Sequence, residues 1–279
     1  MTVYWYVDPV TALTTITVEK VALFKKSSPD AQEKAASRIR RMFAEISPRY
    51  DLLNHVLSLN LDRAWRRRAV TELKLRPGAQ VLDICTGTAD LALELAARDG
   101  SPQSRVLGTD FTPEMIRIGE TKRQARRARN LTLLVADSLY LPFPDSVFDA
   151  VTVAFGIRNV SDLDTGLHEI LRVLKPGGQT AILEFSTPGS GWFRHVFGFY
   201  FRRILPRVGG WISGVRAGAE AYSYLPASVN EWPSPQEFSQ TLERCGFSSV
   251  RYRPLTLGVA VLHMASRSPV SGVTKCRLS

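Results

Sequence analysis

Apolar residues recur at helical spacing near the start of the chain. Four of them follow the i, i+3, i+4, i+7 pattern of one buried helix face: Ile39, Met42, Phe43 and Ile46. This helix is expected to begin at 28–30, where Ser-Pro-Asp favours a first turn, and to end before Pro48. A second helix is marked by Leu52, Leu53, Val56, Leu57 and Leu61. A third carries Trp65, so residues 29–76 are predicted to form a helical cap.

From residue 80 onward, short apolar runs alternate with helical patterns. The predicted strands are Val81–Ile84, Arg105–Thr109, Leu131–Ala136, Phe148–Ala154 and Thr180–Phe185. The helix after the second strand is expected to have Thr112 as its cap and Pro113 in its first turn. The helix before the fifth strand is expected to stop at 175–178, Lys-Pro-Gly-Gly. This alternation predicts a parallel sheet with helices on both faces.

An irregular insertion, rich in aromatic residues and glycine, spans 187–232. The pattern then resumes, and a helix over Pro235–Cys245 is predicted to lead into β-rich runs at Ser249–Arg253 and Gly258–Ala265.

The two ends of the chain carry no pattern of regular structure. The first 28 residues contain no Arg, and acidic residues and a proline interrupt their apolar stretches, so they resemble neither a signal peptide nor a mitochondrial presequence. We expect an N-terminal extension over 1–28, a folded domain over 29–266 and a C-terminal tail over 267–279.

Composition narrows the class of protein. Of the 279 residues, 44% are hydrophobic and 22% are charged, which is typical of a soluble globular protein. Three cysteines are too few for a disulfide framework, so a reducing compartment is favoured, and we expect the protein in the cytoplasm. The cysteines and the four histidines are scattered, which argues against a zinc site. No apolar run reaches the roughly 18 residues of a membrane-spanning helix.

The net charge of +10 favours partners with negative charge: small anions, nucleic acid or an acidic membrane. Basic residues cluster at 38–41, 63–68, 122–129 and 194–207. The last cluster lies in an aromatic stretch over 191–210, a composition typical of segments at membrane interfaces. A helix packed on the domain is the alternative for this stretch.

Acidic side chains follow the predicted strands in order. Asp83, Asp110 and Asp137 end the first three strands, where ligands bind in open parallel sheets. Asp110 is placed to accept hydrogen bonds from two ribose hydroxyls, and Asp137, with Ser138 beside it, to accept from an adenine amine. Each such Asp also occurs as a cap or turn residue. Only the occurrence of such an acid after each of three successive strands favours a ligand site over caps and turns.

The turn after the first strand supports a nucleoside ligand without a diphosphate. It contains one glycine, Gly87, between Thr86 and Thr88, and not the full G-x-G-x-x-G of dinucleotide sites. Glycine permits a tight turn and a close approach of the backbone to a ligand. Asp90 then suits a positive group better than a phosphate. These features fit S-adenosylmethionine, a nucleoside with a cationic sulfonium.

Several motifs follow one another at the spacing of a known family. They are V-L-D-I-C-T-G-T-A-D (81–90), G-T-D-F-T-P-E-M (108–115), F-G-I-R-N-V (155–160), L-R-V-L-K-P-G-G (171–178), A-Y-S-Y-L-P-A-S-V (221–229) and G-V-A-V-L-H (258–263). The chain resembles the S-adenosylmethionine-dependent C-methyltransferases of menaquinone and ubiquinone biosynthesis. The resemblance implies a Rossmann-like class I methyltransferase with a mostly parallel seven-stranded sheet and helices on both faces.

The resemblance also implies the cofactor contacts. By position they fall on Thr88, Asp110, Asp137 and Ser138, with a further contact at Ala154 after the fourth strand. Two departures stand out. Ala89 occupies a position where the family usually has glycine, and Ala154 one where relatives often have serine, which leaves only its backbone as a contact.

The implied reaction is methylation of a ring carbon of 2-demethylmenaquinol. Only the reduced quinol is electron-rich enough, and its neighbouring hydroxyl must lose a proton. The candidates for this chemistry are Arg158, Asn159, Tyr50 and His55. Arg158 is expected to hold a developing phenolate, and Asn159 to orient a quinol oxygen or a water. Tyr50 is a candidate for positioning the quinol ring, and core packing is its alternative role. His55 is a candidate for the base, and a purely structural role is its alternative.

The expected partners follow from the implied substrate. A polyprenyl naphthoquinol lies in a bilayer, so peripheral contact with a membrane is expected; the oligomeric state, a homodimer among the options, stays open. No nucleic-acid partner is expected. The alternatives are a polyprenyl benzoquinol substrate, another small molecule or RNA as methyl acceptor, and a membrane-binding protein without catalysis.

Overall fold

A computed structural model describes residues 30–98, 104–188, 224 and 227–269. The predicted extension over 1–28 lies outside the described residues. So do most of the insertion and most of the C-terminal tail.

Among the described residues, three helices precede the sheet. Helix α1 spans Asp30–Ile46, α2 Tyr50–Leu57 and α3 Leu61–Glu72, and a 3-10 turn at Ser47–Arg49 separates the first two. Pro48 lies in that turn, which confirms the predicted end of α1. Trp65 of α3 is buried, and its indole Nε1 donates to Thr256 Oγ1 at 2.8 Å. The helical cap is therefore fastened to the far half of the chain.

Seven strands form one sheet in the order β3-β2-β1-β4-β5-β7-β6. They are β1 Gln80–Ile84, β2 Arg105–Asp110, β3 Leu131–Val135, β4 Phe148–Ala154, β5 Leu174–Phe185, β6 Phe247–Leu255 and β7 Ala260–Arg267. The first five strands pair in parallel, and β7 runs antiparallel to both β5 and β6. The mostly parallel seven-stranded sheet is thus confirmed.

Four helices cover the two faces of the sheet. They are α4 Asp90–Ala96, α5 Pro113–Ala125, α6 Leu163–Val173 and α7 Pro235–Arg244. One core cluster lies between α3, α4 and the sheet, and a second lies between α6, α7 and the other face. Thr112 is the N-cap of α5 as predicted, but its side chain makes no capping hydrogen bond.

The junction between α6 and β5 differs from the prediction. Helix α6 ends at Val173, and β5 begins at the next residue, not at Thr180. Leu174 pairs with Phe148 and Gln179 with Ala150, so five steps along β5 match two along β4. The Lys-Pro-Gly-Gly segment is therefore a bulge at the start of a strand, because the chain enters the sheet before the proline and glycines bend it.

Candidate functional site

A cavity opens at the carboxyl ends of β1, β2 and β4, on both sides of the point where the strand order reverses. It holds roughly 660 Å³ of empty space, its open mouth included. The predicted site residues on its wall are Tyr50, Gly87, Asp110, Asp137, Ser138 and Asn159. The predicted site residues that do not line it are Asp83, Thr88, Asp90, Ala154, His55 and Arg158.

Asp110 ends β2 with a buried carboxylate that is held by two backbone donors. Its Oδ2 accepts from the Gly87 N–H at 2.9 Å, and its Oδ1 accepts from the Thr112 N–H at 2.8 Å. Burial raises the pKa of Asp110, while these two N–H donors oppose the rise. A carboxylate oxygen accepts more than one hydrogen bond, so each oxygen retains capacity for a ligand hydroxyl.

The turn after β1 passes close to helix α2. Gly87 has φ of +56°, and a Cβ added there would lie 3.6 Å from Tyr50 Cε1. Glycine takes this left-handed conformation without steric cost. Its backbone N–H is thereby free to point at Asp110, which fixes the carboxylate at the cavity wall.

Asp83 supports the site from behind the wall. Its two oxygens accept from the hydroxyls of Thr152 and Thr86, both at 2.6 Å. The parallel register places Thr152 of β4 directly beside Asp83 of β1. Burial raises the pKa of Asp83 to about 6. Asp83 thus joins two strands and the glycine turn rather than facing the cavity.

The loops after β1, β3 and β4 meet where the adenine of the ligand is predicted to bind. Asp137 Oδ1 accepts from the Leu139 N–H at 2.9 Å, so one carboxylate oxygen is already used within its own turn. A Cβ added at Gly156 would overlap the Cys85 Cβ, so only glycine lets the loops after β1 and β4 touch. Burial raises the pKa of the Cys85 thiol, which remains neutral.

The charge of the cavity wall is entirely negative. Among the described residues that line it, Asp110 and Asp137 are charged, and neither Lys nor Arg is present. Such a wall disfavours a diphosphate and suits a nucleoside that carries a positive group. The described residues also contain no group of three or more metal-ligating side chains.

Thr88 and Asp90 belong to a charged network beside the cavity. Thr88 Oγ1 donates to Asp51 of α2 and accepts from Lys122 Nζ at 3.0 Å. Lys122 also pairs with Asp90 and, at 2.9 Å, with Asp51. Thr88 and Asp90, which were predicted to contact the cofactor, therefore take part in a network that joins α2, α4 and α5 in the described part of the chain.

The two alanines that depart from the family pattern differ in conformation. Ala89 is in the left-handed region with φ of +69°. Alanine is strained there on the order of 1 kcal/mol relative to glycine. A Cβ added at Gly119 of α5 would lie 3.1 Å from the Ala89 Cβ, so the two helices approach closely there. Ala154 ends β4 in regular strand conformation beside Leu183.

Tyr50 and Asn159 are the predicted catalytic residues that reach the cavity. Tyr50 begins α2, packs edge-on against Phe43 with ring centroids 6.0 Å apart, and has its pKa raised by burial. Asn159 Oδ1 accepts from the hydroxyl of Tyr224 at 2.9 Å. This bond leaves the Asn159 amide N–H₂ as a donor.

Arg158 is buried next to Asn159 and pairs with a residue that the sequence analysis did not single out. Its Nη1 forms an ion pair with Glu184 and donates to the Phe155 carbonyl at 3.0 Å. Its Nε donates to Ser228 Oγ at 3.4 Å. The guanidinium also lies 5.6 Å from the Phe185 ring centroid. Arg158 thus ties the turn after β4 to the end of β5.

Glu184 is the charged residue that sequence reasoning missed. Burial raises its pKa although Arg158 opposes the rise, and its Oε2 has no hydrogen-bond partner among the described residues. The available signal was a single acid inside an apolar strand, since such a residue needs a partner of opposite charge.

His55 lies in a separate cluster under α3. Its Nδ1 is 3.0 Å from Asp62 Oδ2, and Asp62 also pairs with Arg66 and accepts from Ser58 Oγ at 2.6 Å. The hydrogen bond from the Ser58 hydroxyl, the Arg66 charge and the hydrogen bond with His55 hold the pKa of Asp62 below its usual range against the effect of burial. His55 therefore takes part in an ion-paired cluster and not in the cavity wall.

The chain matches the model of the ubiE/COQ5 methyltransferase family over residues 31–267. A demethylmenaquinone methyltransferase of Thermus thermophilus is 48% identical over 226 residues, which cover 81% of this chain and 100% of that protein. A ubiquinone/menaquinone biosynthesis C-methyltransferase UbiE of Geotalea daltonii is 46% identical over 231 residues, 82% of this chain and 96% of that protein.

A solved structure is similar in fold. A SAM dependent methyltransferase from Aquifex aeolicus superposes with a TM-score of 0.53 at 21% identity, covering 72% of this chain and 88% of that chain. At this identity the likeness concerns the fold alone.

Proposed function

The chain belongs to the ubiE/COQ5 methyltransferase family, and from this premise we propose that it methylates a ring carbon of 2-demethylmenaquinol. It is an S-adenosylmethionine-dependent C-methyltransferase. The observation that carries the proposal is the acidic cavity at the ends of the parallel strands, with Asp110 held by two backbone donors.

The cofactor is assigned to the side of the cavity near β1, β2 and β3. Asp110 accepts the two ribose hydroxyls, and Asp137 and Ser138 receive the adenine edge. Gly87 lets the backbone approach the ligand closely, and the acidic wall accommodates its positive charge. Asp83, Thr88 and Asp90 hold the turn around this ligand from outside the cavity.

S-adenosylmethionine supplies an electrophilic methyl group on a sulfonium. The protein must bring the nucleophilic ring carbon within about 3–3.5 Å of that methyl group, in line with the bond that breaks. Tyr50 orients the quinol ring, and the Asn159 amide donates to a quinol oxygen. Arg158 lies next to Asn159 but outside the cavity wall and is paired with Glu184, so its role is to hold the turn that carries Asn159 in place for that oxygen.

Naphthoquinol is the favoured substrate class, and benzoquinol is the second candidate. The Thermus thermophilus relative is named for demethylmenaquinone alone, whereas the Geotalea daltonii relative is named for both pathways. A methyl-transfer assay on reduced demethylmenaquinone and on its benzoquinol counterpart, run side by side, tests the choice. Faster transfer to the benzoquinol would reverse it, and transfer to neither would refute the proposed function.

The redox state of the substrate provides a second test. Attack by carbon needs the electron-rich quinol, so methylated product is expected only when a reductant is present. Equal rates on the oxidised quinone would show that this chemistry is wrong.

The substrate tail requires access to a bilayer. In the described residues no helix is both long and apolar enough to cross a membrane. Because the polyprenyl tail lies in the bilayer, we propose that a surface of the protein makes peripheral contact with the membrane. The aromatic and basic stretch over 191–210, predicted for this role, lies outside the described residues.

A further inference from the structure

Four leucines at one edge of the molecule have exposed side chains. Leu52, in the first turn of α2, is 52% exposed, and Leu59 and Leu61, at the corner between α2 and α3, are 71% and 37% exposed. The turn between β6 and β7 adds Leu257, which is 71% exposed. We call these four residues the leucine edge. Single exposed apolar residues are ordinary, but a group of them marks an interaction surface.

The four leucines share one edge of the sheet. Thr256, next to Leu257, accepts from Trp65, which lies one helical turn after Leu61. The pairing of Ala260 with Phe185 places the same turn at the end of β5, where the cavity edge of the parallel strands lies. The leucine edge is therefore on the cavity side of the sheet.

The backbone holds the two most exposed leucines outward. Leu59 has φ of +52° and Leu257 φ of +56°, and Asn60 follows Leu59 in the same left-handed region. This conformation is unfavourable for a large side chain, so a residue such as asparagine or glycine would fit both positions better. Folding of the chain alone gives no reason for leucine there.

The charges around the corner of α2 and α3 are positive on the outside. Asp51 pairs with Lys122, and Asp62 is buried against Arg66. Two arginines next to these leucines in the sequence are exposed: Arg49, three residues before Leu52, and Arg63, in the first turn of α3. The surface thus presents leucines flanked by arginines, which complements an anionic lipid surface.

We propose that the leucine edge inserts into an anionic lipid bilayer and sets the cavity mouth against the membrane. The inference rests on the proposed function, since a polyprenyl tail must pass between the bilayer and the cavity. Tyr50 lines the cavity two residues before Leu52 on the same helix. Because residues two apart point to different sides of a helix, Leu52 faces away from the cavity, and α2 lies between the cavity and the proposed bilayer contact.

The test measures binding of the full chain to vesicles by sedimentation. With vesicles of phosphatidylcholine and phosphatidylglycerol, the Leu59→Glu/Leu257→Glu variant is expected to bind at least tenfold more weakly than the parent protein. The control is Ser249→Glu, a charge change at an exposed residue that has the same left-handed conformation, with φ of +52°, and lies near the start of β6 at the far edge of the sheet. This control is expected to bind as the parent does. Vesicles of phosphatidylcholine alone should bind the parent more weakly.

Two outcomes would overturn the proposal. One is unchanged vesicle affinity in the Leu59→Glu/Leu257→Glu variant. The other is a dimer of the parent that this variant converts to a monomer, because the leucines would then contact a second copy of the chain.

A separate measurement isolates the proposed function. Turnover on a reduced naphthoquinol with a short, water-soluble tail, without vesicles, should be equal in the parent and in both variants. If the parent methylates no such quinol, but vesicle binding is weakened as expected in the Leu59→Glu/Leu257→Glu variant, the docking surface stands and the proposed reaction is wrong. If turnover is normal and binding is unaffected, the reaction stands and the docking surface is wrong.

Discussion

Two groups of acidic side chains flank the turn that follows β1, and they differ in what neutralises them. On the cavity side, Asp83 and Asp110 accept only from hydroxyls and backbone N–H groups, and burial raises the pKa of both. On the side of α3 and α4, Asp62 and Asp90 pair with cationic side chains, and the pKa of each is lowered. The lowering occurs in spite of burial, because at Asp62 the Ser58 hydroxyl and Arg66, and at Asp90 Arg66 and Lys122, together outweigh it.

Of these four acids, only Asp110 lines the cavity and remains available to a ligand, whereas Asp83 behind the wall and the two ion-paired acids serve the fold. A buried carboxylate without a cation is unfavourable in the free protein, and a ligand with hydroxyls or positive charge relieves that cost. A carboxylate that already has its cation gains little from a ligand. Glu184 is intermediate, since its Oε1 pairs with Arg158 while its Oε2 has no partner among the described residues.

The largest effect is expected for Asp62→Ala, because it leaves Arg66 buried without its closest partner. The free energy of unfolding should fall by about 3–5 kcal/mol. Affinity for S-adenosylmethionine in the folded fraction should not change. Urea unfolding and calorimetry check the two quantities. A stable variant with weakened cofactor binding would place Asp62 with the ligand acids instead.

Arg158→Ala is expected to lower turnover by about 10²-fold while cofactor affinity changes little, because the turn that carries Asn159 loses its anchor and a small misplacement of a positioning group has an effect of this size. The substitution also strands the buried Glu184, so stability should fall. Adding Glu184→Gln should restore stability but not turnover. Recovery of turnover in the double variant would mean that Arg158 acts only through folding. Arg158→Lys should rescue turnover in part, because the charge remains but the planar fork is lost.

Asp83→Asn tests whether a buried acid without a cation destabilises the fold, because it changes how the free energy of unfolding depends on pH. The pKa of Asp83 is about 6 in the folded protein and near 3.8 when unfolded. As pH rises, the unfolded chain loses its proton first, so the parent loses up to about 3 kcal/mol of stability over the whole range from about pH 3 to about pH 7, and roughly 2 kcal/mol of it between about pH 4.5 and pH 7.5. The variant should lack this loss. Urea unfolding at about pH 4.5 and pH 7.5 measures it, and parallel changes in both proteins would contradict it.

Asp110→Ala should weaken S-adenosylmethionine binding by about 1–3 kcal/mol, the cost of losing charged hydrogen bonds. Asp110→Asn is the milder variant, because its carbonyl still accepts from one of the two backbone N–H groups. The fold should survive in both. Isothermal calorimetry on the folded proteins gives the affinities, and unchanged affinity in both would remove Asp110 from the cofactor site.

Ala89→Gly is expected to have the smallest effect, a gain of up to about 1 kcal/mol in the free energy of unfolding. Glycine removes the strain at φ of +69°, although some Cβ packing is lost. Ala97→Gly is the matched control, because Ala97 ends the same helix with an ordinary φ of −84°. Thermal unfolding compares the two. Equal shifts would show that the left-handed conformation costs nothing here.

Local patterns predicted most strand positions because each strand is a short apolar run with a clear end. Phe148–Ala154 is observed with the predicted bounds, and the strand predicted at Arg105–Thr109 extends by one residue. The start of β5 was wrong because the stop signal of Lys-Pro-Gly-Gly is local, whereas the pairing of Leu174 with Phe148 is not. Only the neighbouring strand decides whether such a segment is a turn or a bulge.

The site was predictable at the strand ends and not beyond them. Asp110 and Asp137 could be placed because parallel strands bring their carboxyl ends to one edge. The pairing of Arg158 with Glu184 joins residues 26 positions apart, and that of Thr88 with Asp51 joins residues 37 apart. Such partners depend on how helices and strands pack. No spacing rule in the sequence reports them.

The direction of β7 affects how the protein can be attached to a surface. The strand starts opposite Phe185 at the cavity edge and reaches Ser266 opposite Gln179 at the far edge. Residue 267 therefore leaves the sheet on the side away from the cavity mouth. For surface plasmon resonance, a biotin or histidine tag joined after this strand orients the cavity and the leucine edge toward the flowing solution, so that vesicles and cofactor reach them unhindered.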